Sequence, residues 1–183
     1  PASLQYGPTA GYTNLREWIA ARMETIDKVS MTADHLMITS GGLEAIDLVA
    51  KAFINPGDTV IVEAPSYLAA LHTFRSYQAE LVDVPIDSNG LDVERLDVCL
   101  HDLSRQGIKP KFIYTIATFQ NPAGVSLSTE RRRRLVEVAD KYGVPILEDA
   151  PYAELRYEGE PLPSLVSLNP DGVIFVNTFS KIF

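Results

Sequence analysis

The chain has 183 residues, of which 46% are hydrophobic and 22% charged, and its formal net charge is −8 at pH 7. This length is enough for one domain with a substantial core. The negative charge argues against nucleic acid as a main partner, and the sequence contains no apolar run of membrane-spanning length. The single cysteine, Cys99, excludes an internal disulfide and favours a cytoplasmic location.

Short apolar runs alternate with amphipathic helical patterns. After a helix over 12–26, strands are expected at 36–39, 59–62, 79–85, 111–116, 144–147 and 173–178, and helices at 43–53, 67–77 and 91–105, with a last helix capped by Ser128 that reaches Tyr142. This alternation predicts an α/β fold, a mainly parallel sheet with helices on both faces. The strands are apolar throughout, as expected of strands buried on both faces.

Ligands of open α/β sheets bind beyond the carboxyl ends of the strands. Five polar motifs follow predicted strands and therefore share one rim of the sheet: Ser40-Gly41-Gly42-Leu43, Glu63-Ala64-Pro65-Ser66-Tyr67, Asn121-Pro122-Ala123-Gly124, Glu148-Asp149-Ala150-Pro151-Tyr152 and Ser180-Lys181. We therefore expect a ligand site at this rim.

Three of these motifs have two readings each. The turn at Gly42 opens a helix, whose free N–H groups and dipole suit a phosphate, although a plain turn is the simpler reading. Tyr67 could stack on a flat ligand or pack in the core. Asn121 could donate its amide to a ligand oxygen or only form a turn.

The remaining two motifs suggest reaction chemistry. Asp149 could cap a helix or, as a carboxylate, keep the nitrogen of a pyridine ring protonated, and Tyr152 could reach an oxygen on that ring or pack beside Leu155. Lys181, after a buried strand, is a candidate amine nucleophile that could form a Schiff base with a carbonyl cofactor.

Two other groups of residues are given no catalytic role. The run Arg131–Arg134 is expected to be the solvated flank of a helix whose apolar face includes Leu135 and Val138. The three histidines share no metal-ligand spacing, so no metal site is predicted.

Taken in order, the five motifs resemble those of the class I and II aminotransferases, the fold-type-I enzymes that depend on pyridoxal 5′-phosphate. The opening segment from Leu4 to Gly11, followed by Leu15-Arg16, resembles the 2-aminoadipate/kynurenine aminotransferase branch. The resemblance extends from Leu4 to Lys181. It implies a three-layer α/β/α large domain.

The resemblance also implies residue roles. Lys181 would be the Schiff-base lysine and the base for the proton shift, Asp149 would pair with the pyridine nitrogen, and Tyr152 and Asn121 would bind the ring oxygen. Tyr67 would stack on the ring. The phosphate would be held by the backbone of Gly42 and Leu43, by the hydroxyls of Thr178 and Ser180, and by Tyr6 of a neighbouring subunit, and the substrate would lie near Gly11 and Asn121.

The family's phosphate-binding arginine, its substrate-carboxylate arginine and most of its N-terminal arm have no counterpart in these residues. Residues 1–183 are therefore expected to form one incomplete cofactor-binding large domain, inactive alone, of a homodimeric enzyme. Such an enzyme would transfer an amino group from an α-amino acid to a 2-oxo acid, with 2-oxoglutarate as the expected acceptor. Two alternatives stay open: the effector domain of a winged-helix transcriptional regulator, and a lyase or decarboxylase of the same fold.

Overall fold

The computed structural model describes residues 5–182, so Leu4 of the opening motif lies outside the described residues. They divide into two compact units, with the boundary along the chain between Ser40 and Gly41. In the described part of the chain, no helix is both long and apolar enough to cross a bilayer.

The first unit contains helix α1 (Thr13–Ile26) and a short 3-10 helix (Ala33–His35). Buried Arg16 ties this unit together, because its guanidinium donates to the carbonyls of Gly11 (3.2 Å) and Ala33 (2.6 Å). The expected strand over 36–39 is wrong. Ile38 donates one backbone hydrogen bond to the Ala10 carbonyl (2.9 Å), and the segment is extended without joining a ladder.

The second unit is built on a six-stranded sheet. Its helices are α2 (Gly42–Phe53), α3 (Leu68–Ser76), α4 (Val93–Arg105), α5 (Thr129–Tyr142) and the short α6 (Leu165–Leu168). Its strands are β1 (Thr59–Ala64), β2 (Glu80–Asp87), β3 (Gly90–Leu91), β4 (Ile113–Thr115), β5 (Ile146–Asp149) and β6 (Val173–Val176). Five of the six expected strands are therefore confirmed, while β3 and α6 were not expected.

The sheet order is β3-β2-β1-β4-β5-β6, and every neighbouring pair is parallel except the β2–β3 hairpin. The chain moves outward from β1 to β2 through α3, and in the opposite direction from β4 to β5 through α5. Right-handed crossovers then put α3 and α5 on opposite faces of the sheet. The predicted α/β architecture is confirmed.

The core on the α2–α3 face consists of buried aliphatic and aromatic side chains. Phe74 lies edge-to-face against both Phe112 and Tyr114, with ring centroids 5.3 Å apart in each pair. Since strand side chains alternate in direction, Ile113 and Ile146 point to the other face, where α4 packs against α5.

Helix α5 begins and ends as its sequence predicts. The Ser128 hydroxyl accepts from the Arg131 backbone N–H (3.3 Å), and Gly143, with φ of 62°, follows the last turn in the left-handed conformation. The expectation of a solvated arginine flank is wrong for Arg132, which is 1% exposed. Its guanidinium faces inward because four protein oxygens accept from it.

Candidate active site

The carboxyl ends of β1, β4, β5 and β6 lie side by side, because these strands are parallel neighbours. The strand order reverses between β1 and β4, since the chain goes from β1 to one side of the sheet and from β4 to the other. Such a reversal opens a crevice at the carboxyl ends, where α/β proteins bind ligands. The structure therefore places the centre of the predicted ligand site between the carboxyl ends of β1 and β4.

Asp149 is the last residue of β5 and is 6% exposed. Its Oδ2 accepts a hydrogen bond from the Tyr114 hydroxyl of β4 (2.8 Å). Burial raises the pKa of the Asp149 carboxyl from its ordinary value of 3.8 to about 6, because it disfavours the charged form, while the Tyr114 hydrogen bond acts in the opposite direction. Asp149 is therefore a buried carboxylate at the carboxyl end of a strand.

A second buried carboxylate, Glu63, lies near the end of β1 and is 2% exposed. It accepts hydrogen bonds from the Thr115 hydroxyl (2.5 Å), the Gln120 side-chain amide (3.0 Å) and the Ile116 backbone N–H (3.3 Å). Burial raises the pKa of Glu63, and these three donors oppose the rise. Glu63 joins β1 to β4 at the strand reversal.

Gln120 connects this carboxylate to the loop that carries Asn121. Its amide nitrogen also donates to the Pro65 carbonyl (2.8 Å), and its amide oxygen accepts from the Ala123 N–H (2.9 Å). Asn121 is partly buried between these anchors. The loop before it contains Phe119, whose φ of 51° is unusual for a bulky residue and is held by the Phe119 N–H bond to the Ser126 hydroxyl (3.0 Å).

Sequence reasoning assigned no role to Tyr114, Thr115 or Gln120. The signal in the sequence was polar atoms inside and just after an otherwise apolar strand, since a buried polar group needs a hydrogen-bonding partner. The partners of these three residues come from other strands, so the pairing could not be read from sequence spacing.

Tyr67 and Tyr152 both lie just beyond strand ends. Tyr67 precedes the first residue of α3, is partly buried and packs against the core cluster that contains Tyr114. Tyr152 lies in the turn after β5, and its carbonyl accepts from the Leu155 N–H (3.0 Å). Both positions are compatible with a ligand at the rim.

Two of the expected phosphate-binding residues, Gly42 and Thr178, lie close together at the start of α2. A Cβ placed on Gly42 would lie 3.9 Å from the Thr178 Cβ, so the residues that follow β6 lie beside this helix end. The N-cap residue Gly41 gives the helix no side-chain cap, and Leu43 in the first turn is 44% exposed. Backbone N–H groups at such a helix start suit an anion.

Lys181 ends a short 3-10 helix (Phe179–Lys181) that begins directly after Thr178, and its side chain is exposed. Thr178 caps the turn: its hydroxyl accepts from the Ser180 N–H (3.2 Å) and donates to the Ser180 hydroxyl (3.1 Å). Lys181, Ser180 and Thr178 therefore follow the sheet's last described strand as one short structured unit.

Two predicted residues, Tyr6 and Gly11, belong to the first unit. Tyr6 is fully exposed. Gly11 has a φ of 97°, and a Cβ there would lie 2.6 Å from the Ile38 Cβ, so this glycine permits close packing within that unit.

The fold and the strand-end residues define a class of protein, and comparison with known proteins identifies it. The model of the family "Aminotransferase class I and II" matches residues 1–183. The chain belongs to this family, as the resemblance in the sequence predicted.

The similar proteins include enzymes and a regulator. The chain is 47% identical to aromatic-amino-acid aminotransferase 1 of Thermococcus litoralis, over 98% of the chain and 43% of that protein. A crystal structure of kynurenine aminotransferase from Pyrococcus horikoshii in complex with PMP is 46% identical, with a TM-score of 0.94 over 99% of the chain and 45% of the enzyme. A helix-turn-helix transcriptional regulator of Bacillus subtilis is 30% identical, over 98% of the chain and 36% of the regulator. The chain thus spans less than half the length of these proteins.

Proposed function

We propose that this chain forms the pyridoxal 5′-phosphate-binding large domain of an aminotransferase that transfers an amino group from an α-amino acid to a 2-oxo acid. The proposed acceptor is 2-oxoglutarate. The observation that carries the proposal is Asp149, a buried carboxylate at the carboxyl end of β5 that is hydrogen-bonded by Tyr114. A carboxylate of this kind suits a partner that brings its own positive charge, as a protonated pyridine nitrogen does.

The described residues fit this cofactor in a second respect. The start of α2 at Gly42 lies next to Thr178, so backbone N–H groups and a hydroxyl are available together for a phosphate. In the proposed site the N–H groups of Gly42 and Leu43 and the hydroxyls of Thr178 and Ser180 hold the phosphate.

When bound, the cofactor supplies an electron sink for the negative charge that develops at the substrate Cα. Asp149 maintains the proton on the ring nitrogen, Tyr152 and Asn121 bind the ring oxygen, and Tyr67 stacks on the ring. The Lys181 amine would hold the cofactor and would serve as the base that takes and returns the proton at the substrate Cα. Gln120 and Glu63 hold the Asn121 loop in position.

The wider assembly is also part of the proposal. The enzyme would be a cytoplasmic homodimer in which Tyr6 reaches the phosphate of the neighbouring subunit and Gly11 and Asn121 lie near the substrate. An N-terminal arm and a C-terminal small domain would complete each subunit. The further segments are supported by the match to the aromatic-amino-acid aminotransferase, which includes 98% of this chain but only 43% of that enzyme.

Covalent labelling tests the proposal directly. The intact protein is incubated with pyridoxal 5′-phosphate, reduced with borohydride and digested, and the labelled peptide is identified by mass spectrometry. We expect the label on Lys181 and none on the Lys181→Ala variant, while Lys51→Ala, which removes an exposed lysine of α2, keeps it. A label that persists in Lys181→Ala would refute the assignment.

A panel of amino acids with 2-oxoglutarate then separates the reaction classes. An aminotransferase forms glutamate in step with the new 2-oxo acid, whereas a lyase or decarboxylase consumes the amino acid without 2-oxoglutarate. The relative that is a transcriptional regulator supports the other alternative. That function would appear as specific DNA binding by the intact protein without turnover of any amino acid.

A further inference from the structure

Tyr114 is a buried tyrosine that none of the proposed catalytic roles uses. It lies in the middle of β4 with 0% exposure, and its ring packs edge-to-face on Phe74 at 5.3 Å. Its hydroxyl reaches through the core to the Asp149 Oδ2 (2.8 Å). The ring is therefore fixed by packing, and the hydroxyl is fixed by the carboxylate.

We propose that Tyr114 is a positioning residue that fixes the Asp149 carboxylate by bonding Oδ2 and so reserves Oδ1 for the ring nitrogen of the cofactor. This inference rests on the proposed function, since it needs a cofactor partner for Asp149. A carboxylate with one oxygen held has lost most of its rotational freedom before the ligand arrives, and prior ordering of this kind increases affinity.

The electrostatics of the core agree with this role. Burial, with the charges of Asp149 and Glu63 nearby, raises the pKa of Tyr114 well above its ordinary value of 10, so the hydroxyl stays a donor throughout the neutral range. The same hydrogen bond lowers the pKa of Asp149, against the effect of burial. Tyr114 therefore increases the ionised fraction of Asp149 near neutral pH, and the ionised form is the one that pairs with a protonated ring nitrogen.

The test is Tyr114→Phe, which removes the hydroxyl oxygen and keeps the packed ring. Tyr77→Phe is the matched control, because the Tyr77 hydroxyl also donates to a carboxylate, Asp47 Oδ1 (3.1 Å), on the α2–α3 surface. In the intact cofactor-free protein, the titration midpoint of Asp149 is followed by carboxyl ¹³C NMR. Pyridoxal 5′-phosphate is then titrated into each cofactor-free variant, and its binding is measured by fluorescence.

We expect Tyr114→Phe to raise the Asp149 midpoint by about one pH unit, the equivalent of one lost hydrogen bond to a charged group. We also expect the dissociation constant of the cofactor to rise about tenfold, with both values unchanged in Tyr77→Phe. If Tyr114→Phe leaves the Asp149 midpoint or the cofactor affinity unchanged, the inference is overturned while the proposed function stands. If the wild-type protein fails to bind pyridoxal 5′-phosphate at all, the proposed function is overturned, and the cofactor role of Tyr114 with it.

Discussion

At the scale of single residues, Asp149 couples the proposed site to the stability of the fold. Its pKa is raised from 3.8 to about 6, so the folded state binds a proton more tightly than the unfolded state does. Stability contributed by this group is therefore present at low pH and is lost as the pH rises from about 4 to 6. At neutral pH the buried charge costs roughly 3 kcal/mol in the cofactor-free protein.

We therefore expect Asp149→Asn to stabilise the cofactor-free protein at pH 8, by up to about 3 kcal/mol, and the gain to shrink toward pH 4. Urea unfolding at both pH values measures it. Asp87→Asn is a control of opposite sign, because Arg131 lowers the pKa of exposed Asp87 and its contribution is present only above that pKa. If the Asp149→Asn variant is less stable than the wild type at pH 8, burial of the ionised Asp149 does not destabilise the fold.

At the scale of elements, Arg132 joins α5 to the segments that follow β4 and precede α6. It donates to the carbonyls of Leu127 (2.8 Å) and Pro163 (2.9 Å), and it lies 3.9 Å from the buried carboxylate of Glu148. Glu148 in turn accepts from the N–H groups of Leu165 and Val166 at the start of α6. The buried Arg132 side chain thus links α5 to Glu148 of β5 and to the segment that precedes α6.

Arg132→Met should cost about 3–5 kcal/mol of unfolding free energy, because it removes the cation beside the buried Glu148 carboxylate and the donor to four oxygens. The adjacent Arg133→Met, on the exposed side of the same helix, should change stability by less than about 0.5 kcal/mol. Denaturant unfolding of the two variants is the measurement. Equal effects would mean that the buried network contributes nothing beyond an ordinary surface charge.

Gly90 lets the β2–β3 hairpin approach the loop before α5. A Cβ at Gly90 would lie 2.9 Å from the Leu127 Cα, and the φ of this residue is 91°. Gly107→Ala is the matched change, since Gly107 has a φ of 74° and no atom within 4 Å of its added Cβ. We expect Gly90→Ala to lower stability by about 1–3 kcal/mol more than Gly107→Ala in thermal unfolding. A similar loss in both would attribute the whole effect to backbone conformation.

At the scale of the whole molecule, the sequence predicted the alternation of strands and helices because most strands contain a short apolar run, such as residues 60–62 of β1 and Val173–Val176 of β6. The apolar pattern gave the wrong result at one segment that forms no strand and missed one strand that is very short. Leu36–Thr39 is as apolar as a strand but pairs through one bond, and β3 has only two residues. The rim was predictable from strand ends, whereas the Tyr114–Asp149 and Glu63–Gln120 pairs depend on which strands are neighbours.

The share of its relatives that this chain covers leads to a whole-molecule prediction. Residues 1–183 alone should give weak or no transamination, because they match only 43% of the length of the related aromatic-amino-acid aminotransferase. The measurement compares glutamate formation by this chain and by the intact protein under equal cofactor loading. Full turnover by the isolated chain would contradict the proposed domain division.

The hydrogen bond between Thr115 and Glu63 joins residues 52 positions apart, and it lies at the centre of the sheet where β1 meets β4. Such a contact closes a long loop, and contacts of this kind slow folding because the entropy of closure is lost before the contact forms. We therefore expect the pairing of β1 with β4, which positions Glu63, to be a slow step of folding. A cofactor that binds only the completed site should slow unfolding and leave the folding rate unchanged.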